Sequence, residues 1–273
     1  MKYDPIKKSL GLAFNKTPGL RKLFYRLLDL LLLRSWHVHK EIKRWANSHQ
    51  GEANILDAGS GFGQYSFYFS KNKSWKIKAV DVKEEQIEDC NNFFQQIHHT
   101  NAHFEVADLT KFVEPNKYDF ILSVDVMEHI LEDVKVFENF YTSMKKGGTL
   151  LISTPSDQGG SDVHDHDHDH EEGEGSFIDE HVRDGYNIEE IQEKLRSVGF
   201  SSTRASYTYG TPGKISWKLS MKYPIIMLNT SKIFFIILPF YYLITFPFAL
   251  ILNYLDVRMN HKTGTGLNVI AIK

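Results

Sequence analysis
The sequence predicts an α/β fold with a ligand site at the strand ends, and three observations predict it. The apolar pair Ile55-Leu56 runs through Asp57-Ala-Gly-Ser-Gly-Phe-Gly63 into Tyr65-Ser-Phe-Tyr-Phe69, the pattern of a buried strand turning sharply into a helix. A second strand over residues 76–82 carries Asp81 at its end, and a third acidic step follows at Ala107-Asp108-Leu109. Strands alternating with helical segments in this way build a parallel sheet.

Each element has a physical reason. Glycines tolerate positive φ and let a ligand approach the backbone, and the helix behind them presents N–H groups and the positive end of its dipole. Asp81 falls at about the interval at which an acidic residue receives ribose hydroxyls in dinucleotide-binding folds. A nicotinamide or flavin site is the competing reading, but the glycines run Gly59-x-Gly61-x-Gly63 and Gln64 stands where a third G-x-G-x-x-G glycine would be.

On these residues the chain resembles the class I S-adenosylmethionine-dependent methyltransferases, in the branch that methylates quinones, lipids and related small molecules. The resemblance covers about residues 50–200 and the last strand. It implies a Rossmann-like sheet with helices on both faces and an antiparallel last strand. Tyr118-Asp-Phe-Ile-Leu-Ser-Val-Asp-Val-Met-Glu-His129 matches the fourth strand and its exit, and Thr149-Leu-Leu-Ile-Ser-Thr154 after Lys145-Lys-Gly-Gly148 matches the fifth. The implied cofactor is S-adenosylmethionine, held by Asp57, Gly59, Ser60, Gly61, Gly63, Tyr65, Asp81, Val82, Asp108, Leu109 and Ser123.

Composition bounds the rest. A chain of 273 residues with 42% hydrophobic content can bury one full α/β core with additions. A net charge of −2 gives no general case for nucleic acid, and the single cysteine, Cys90, suits a reducing compartment. Residues 1–34 hold eight Lys/Arg against two acids, and no cleavable signal pattern is evident. Residues 20–36 read as an amphipathic helix, either packed on its own domain or covering the substrate pocket and resting on a membrane.

Residues 233–255 carry no charge, and residues 214–232 carry four lysines and no acid. Length alone would allow a transmembrane helix. In the resembled fold, however, the last two strands, residues 202–209 and 267–272, form an antiparallel hairpin in one sheet, so the insertion between them must begin and end on the same side. Pro224, Pro239 and Pro247 are expected to break it into pieces that lie in the interface or dip and return. Tyr223, Tyr241, Tyr242 and Tyr254 would suit headgroup depth, and Lys218, Lys222 and Lys232 an anionic leaflet. A buried insertion or a dimer interface is the alternative. The expected organisation is a basic helical region over 1–48, a cofactor-binding domain over 49–210, an apolar insertion over 211–262 and a final strand over 263–273.

Asp125-x-x-Glu128-His129 places three polar groups at the expected start of a helix, on one face. The pattern is similar to a divalent-metal motif of some ubiquinone-pathway and RNA-end methyltransferases, with aspartate here for the usual first glutamate. His129 reads as a metal ligand, a general base or a helix-start residue packed near the pocket. His164-Asp-His-Asp-His-Asp-His170 with Glu171, Glu172 and Glu174 reads as a solvated acidic loop over the site or as a collector of transition metal. His181, Arg183 and Tyr186 are candidate substrate contacts, and Asn187 with Glu190 forms a capping-box pattern before a helix ending at Gly199-Phe200.

The expectation is thus methylation, at oxygen, of a small hydrophobic substrate at the cytoplasmic face of a membrane. No nucleic acid is expected, and a dimer is compatible. A membrane-tethered cofactor-binding assembly protein without turnover, and an RNA or protein methyltransferase, are the alternatives.

Overall fold
The computed structural model describes residues 17–159, 182–231 and 233–273. Its centre is a seven-stranded sheet of β1 (Ala53–Ala58), β2 (Trp75–Asp81), β3 (Ala102–Val106), β4 (Tyr118–Val124), β5 (Met144–Pro155), β6 (Ser202–Thr208) and β7 (Gly266–Ile272), in the order β3-β2-β1-β4-β5-β7-β6. The first five are parallel, while β7 runs antiparallel to both β5 and β6.

Alternation along the strands sends successive residues to opposite faces, so each strand serves two cores. Leu56, Ile121 and Leu150 pack with Phe137 and Phe140 of α5 (Asp133–Ser143) and with Ile191 and Leu195 of α6 (Ile188–Val198). Their neighbours Ile55, Leu122 and Leu151 pack with Val38, Ile42 and Trp45 of α2 (Leu33–Ser48) and Phe69 of α3 (Gln64–Ser70). Helix α4 (Glu84–Gln96) adds Ile87, Phe93 and Phe94 to a third cluster. The side chain of Asn187 accepts from the N–H groups of Glu189 and Glu190, and Gly199 closes α6 at φ 117°. Glu190 turns instead to Lys194, 2.7 Å away.

The stretch read as one amphipathic helix over residues 20–36 is two helices, α1 (Pro18–Leu31) and α2, separated by Leu32 in an extended conformation. Thr17 caps α1 and a proline sits in its first turn, a normal helix start.

The insertion between β6 and β7 is a helical hairpin. Its outgoing arm is α7 (Thr211–Trp217), a π-type stretch (Lys218–Lys222) and α8 (Tyr223–Thr230), and its return arm is α9 (Phe234–Arg258). The expected proline breaks are absent. Pro224 starts α8, while Pro239 and Pro247 lie inside a continuous 25-residue helix. The chain reverses instead near Ser231, which is fully extended at φ −161° and ψ 141°.

The arms are cross-linked by hydroxyls. Tyr241 Oη donates to the carbonyl of Leu219 (2.7 Å), Tyr242 Oη to that of Ser220 (2.9 Å), and Ser216 Oγ to that of Ala249 (3.1 Å). Two of the four tyrosines assigned to headgroup depth therefore hold the hairpin together, whereas Tyr223 and Tyr254 are exposed. The entry and exit meet at Asp256, whose carboxylate accepts from the N–H groups of Tyr209 (3.2 Å) and Gly213 (2.9 Å). The insertion thus leaves and rejoins the sheet at one place.

Candidate active site
At the carboxyl end of β1 the chain turns back so tightly that the N–H groups of Gly59 and Ser60 both donate to the carbonyl of Val80 (2.8 and 2.9 Å). Gly59, Gly61 and Gly63 all have positive φ, at 82°, 50° and 80°. Their reasons differ. A Cβ on Gly59 would lie 2.2 Å from Val126 Cγ2, and one on Gly63 would press on Cys90 and Phe104 at 3.1–3.3 Å, so these two are fixed by close packing. A Cβ on Gly61 would meet only Gln86 Oε1, at 3.9 Å, so the backbone there faces open space that a ligand can enter.

Asp81, at the end of β2, points its carboxylate at this turn. Its Oδ2 accepts from the Gly61 N–H (2.9 Å) and its Oδ1 from the Lys83 N–H (3.0 Å). A carboxylate has about four acceptor positions, so capacity remains for a pair of hydroxyls. Beside it Val82 is 64% exposed. Asp108 accepts from the N–H and hydroxyl of Thr110 (2.9 and 2.7 Å), which hold its carboxyl below the ordinary range, and Leu109 is buried in the core.

Beneath the turn lies Asp57, fully buried. Burial pushes its carboxyl up to about 6, against the hydrogen bond from Ser66 Oγ (2.6 Å). Tyr65, on the first turn of α3, has its hydroxyl 3.5 Å from Ser35 Oγ, and burial raises it to about 12. Ser60 Oγ, Ser123 Oγ and one oxygen of Asp125 are buried with no hydrogen-bond partner. Unpartnered polar atoms are expensive in a protein interior, and here they stand beside the glycine-rich turn and at the exit of β4. An adenosine-bearing cofactor with a polar amino-acid tail fits this set: open backbone at Gly61, acceptors at Asp81, and unsatisfied groups beyond them.

The expected metal set does not assemble. Among the described residues no group of three His, Cys, Asp or Glu side chains is placed to hold a metal ion. Asp125, at φ 53°, is paired with Arg34. Glu128 is 1% exposed and its Oε2 accepts from Thr154 Oγ1 (3.0 Å), so it faces the sheet. His129 lies at the exposed end of a single 3-10 turn, Met127–His129, rather than on a helical face shared with the other two. In one turn after a left-handed residue the three side chains diverge.

Two candidate substrate residues are likewise spoken for. Tyr186 is 1% exposed, with its hydroxyl bonded to Asp133 Oδ2 (2.9 Å) and the Met127 carbonyl (3.2 Å). Arg183 pairs with Asp133 and donates to the carbonyls of Ile130 and Leu131, while Lys194 Nζ reaches Asp133 at 2.9 Å. Burial alone would raise the Asp133 carboxyl; Lys194, Tyr186 and Arg183 together hold it below its ordinary value. This cluster buttresses the loop that carries His129. His181, the histidine-rich run 164–170 and Glu171, Glu172 and Glu174 lie outside the described residues.

A set of residues over the site was not picked out from sequence. Buried Arg21 donates to the Phe62 carbonyl of the glycine-rich turn (2.9 Å) and pairs with Asp89. Tyr25 also donates to that carbonyl. Gln64, at the position of the missing glycine, donates to Asp29 (2.8 Å) and Ser35 (3.1 Å). Helices α1 and α2 therefore form a strap across the carboxyl ends of β1 and β4. The available signal was the run of polar residues Arg21, Asp29, Arg34 and Ser35 among leucines.

Residues 49–198 match the family model described as a methyltransferase domain, more than half of the chain. Phosphoethanolamine N-methyltransferase 3 of Arabidopsis thaliana is 28% identical over 155 residues, covering 55% of this chain and 29% of that protein. The ubiquinone biosynthesis O-methyltransferase of Coxiella burnetii is 28% identical over 104 residues, covering 37% of this chain and 43% of the relative. This chain thus spans less than half the length of these curated relatives. Among solved structures, phosphoethanolamine N-methyltransferase 2 of Haemonchus contortus, with phosphomonomethylethanolamine and S-adenosylhomocysteine, has the same fold at TM-score 0.58 and 19% identity, over 85% of this chain and 51% of that one. With strand order, glycine-rich turn and family match in agreement, the chain belongs to the class I S-adenosylmethionine-dependent methyltransferases.

Proposed function
We propose that the chain transfers the methyl group of S-adenosylmethionine to an oxygen of a small amphipathic molecule drawn from a lipid surface, at the cytoplasmic face of a membrane. The sulfonium of the cofactor supplies the activated methyl group. The residues of this chain bind, orient and shield. Asp81 accepts the ribose hydroxyls, Gly61 admits the cofactor to the backbone, and Ser60 and Ser123 offer polar atoms that are otherwise unpaired. His129, exposed at the end of the turn after β4, would take a proton from the acceptor. The strap excludes water from above.

One observation carries the substrate class: the hairpin that meets the strap at Asp256 is apolar and bare. Ile236 is 70% exposed, Phe240 66%, Leu243 75% and Ile244 67%, and α9 is long and apolar enough to cross a membrane. Few soluble proteins leave so large an apolar surface to water. Arms that leave and return at one base support a monotopic or re-entrant element rather than a crossing. Pro239 and Pro247 also leave two helix carbonyls without the usual partner, which is cheaper near the aqueous interface than at the bilayer centre. Lys214, Lys218, Lys222 and Arg258 flank the apolar stretch and suit anionic headgroups.

Membranes offered with methyl-labelled cofactor and the full chain test this reading. Label is expected in the organic extract, on an ether or ester oxygen. Label confined to water-soluble or macromolecular products would overturn the substrate class. A second reading, methylation of an amine, is favoured by the phosphoethanolamine N-methyltransferases among the relatives, and the same extract decides it by the mass and charge of the product.

A further inference from the structure
The strap touches the cofactor end of the molecule with its first residues and the hairpin with its last. Arg21 and Tyr25 hold the Phe62 carbonyl, Arg34 holds Asp125, and the Arg34 N–H donates to Tyr209 Oη at 3.0 Å. One turn on, His37 Nε2 lies 2.8 Å from Asp256 Oδ2, buried, and Lys40 donates to the Val257 carbonyl. Asp256 is 0% exposed and is also bound by His261 and by the Tyr209 and Gly213 N–H groups. There is no slack at this joint: a Cβ on Gly213 would lie 2.7 Å from both Asp256 Oδ1 and Leu33 Cδ2. The one irregular point is Leu32, between α1 and α2.

We propose that docking of the hairpin on lipid stabilises the closed strap and so retains the cofactor; this rests on the membrane reading above. A ligand shifts an equilibrium only through its different affinity for the two states. The closed strap supplies that difference. Its α1 exposes Leu20 (39%), Leu23 (48%) and Leu30 (40%) alongside Lys22 and Arg26, the same mixture of apolar and basic groups found at the hairpin flanks. Closed, the locked joint holds α1 and the hairpin as one body with two lipid-seeking surfaces. Opened at Leu32, α1 loses that fixed relation and its leucines are no longer presented with the hairpin.

The test measures release of labelled S-adenosylhomocysteine from the full chain, with and without vesicles of phosphatidylcholine and phosphatidylglycerol, with flotation scored in parallel. Release is expected to slow by about tenfold on vesicles, the usual size of coupling between two sites. Hydrogen exchange over residues 18–31 should slow with it. Lys40→Met, alone and with His37→Ala, should float normally but lose the slowing. Leu23→Gln with Leu30→Gln, which leaves the joint intact, should lose it too. Equal release rates for floated and free wild-type chain would overturn the coupling while leaving the membrane reading intact. Retained slowing in both the joint and the leucine variants would overturn it as well. Failure of the wild-type chain to float overturns both, and is recognised by flotation alone.

Discussion

The glycine-rich turn and the hairpin are opposite solutions to the placing of apolar and polar groups. At the turn packing is tight: Gly59 and Gly63 leave no room for a Cβ, and the buried unsatisfied atoms beside it are polar ones. Along α9 the hydroxyls of Tyr241 and Tyr242 are bonded across to the other arm, and the outer apolar side chains are bare. A substitution at the turn should therefore act on the fold and the cofactor, and one on the hairpin's outer face on partitioning.

The largest expected effect is at Gly61. A branched side chain there is strained at φ 50° and fills the open approach, so Gly61→Val should weaken S-adenosylmethionine binding at least 100-fold, about 2.7 kcal/mol, in titration calorimetry. Normal binding would mean that no ligand comes close to this backbone. Next is Phe240→Glu with Leu243→Glu. Charge on two of the most exposed apolar positions should abolish vesicle flotation yet change unfolding stability by no more than about 0.5 kcal/mol per site. A large loss of stability would show that this face packs against protein instead.

Asp57 tests the buried side of the comparison by pH. Its carboxyl is pushed up to about 6, so the folded chain keeps the proton over a range in which the unfolded chain has lost it. Stability from this group therefore falls as pH rises from about 4 to about 6, then levels off. Asp57→Asn should raise the unfolding free energy at pH 7.5 by of order 2 kcal/mol and leave it nearly unchanged near pH 4. Equal effects at both values would remove burial as the cause. The smallest expected effect is none: chelators should leave turnover unchanged, because Asp125, Glu128 and His129 do not converge. Restoration of a chelated, inactive enzyme by a divalent cation would reverse that conclusion.

What could be read from the chain was what is local. The strand-turn-helix over Ile55 to Phe69, the acid ending β2, and the Asn187 and Gly199 caps are set by neighbours in sequence, and they form where expected. Prolines misled, because a proline removes one helix hydrogen bond but does not oblige a helix to stop when its apolar neighbours favour continuation. The metal set misled for a related reason: a spacing of three and four positions defines a shared face only on a regular helix, and Asp125 leaves the strand with positive φ. Tyr186 and Arg183 were expected to reach a ligand, yet Asp133 claims them both. A helix over the pocket was one reading of residues 20–36, but the contacts that hold the strap were not legible because they are distant: Arg34 to Asp125 and His37 to Asp256 join segments that no periodicity connects.

The place of β7 has a consequence for how the molecule is made. It lies between β5 and β6 in the sheet but follows the hairpin in the chain, so β6 has no strand to pair with until the whole insertion has been synthesised. At a typical rate of about 5–20 residues per second, the outgoing arm is synthesised seconds before β7. If the hairpin docks on lipid as proposed, the order of synthesis lets anchoring precede completion of the sheet. Stalled nascent chains truncated before Gly266 should already cosediment with vesicles and yet bind no cofactor.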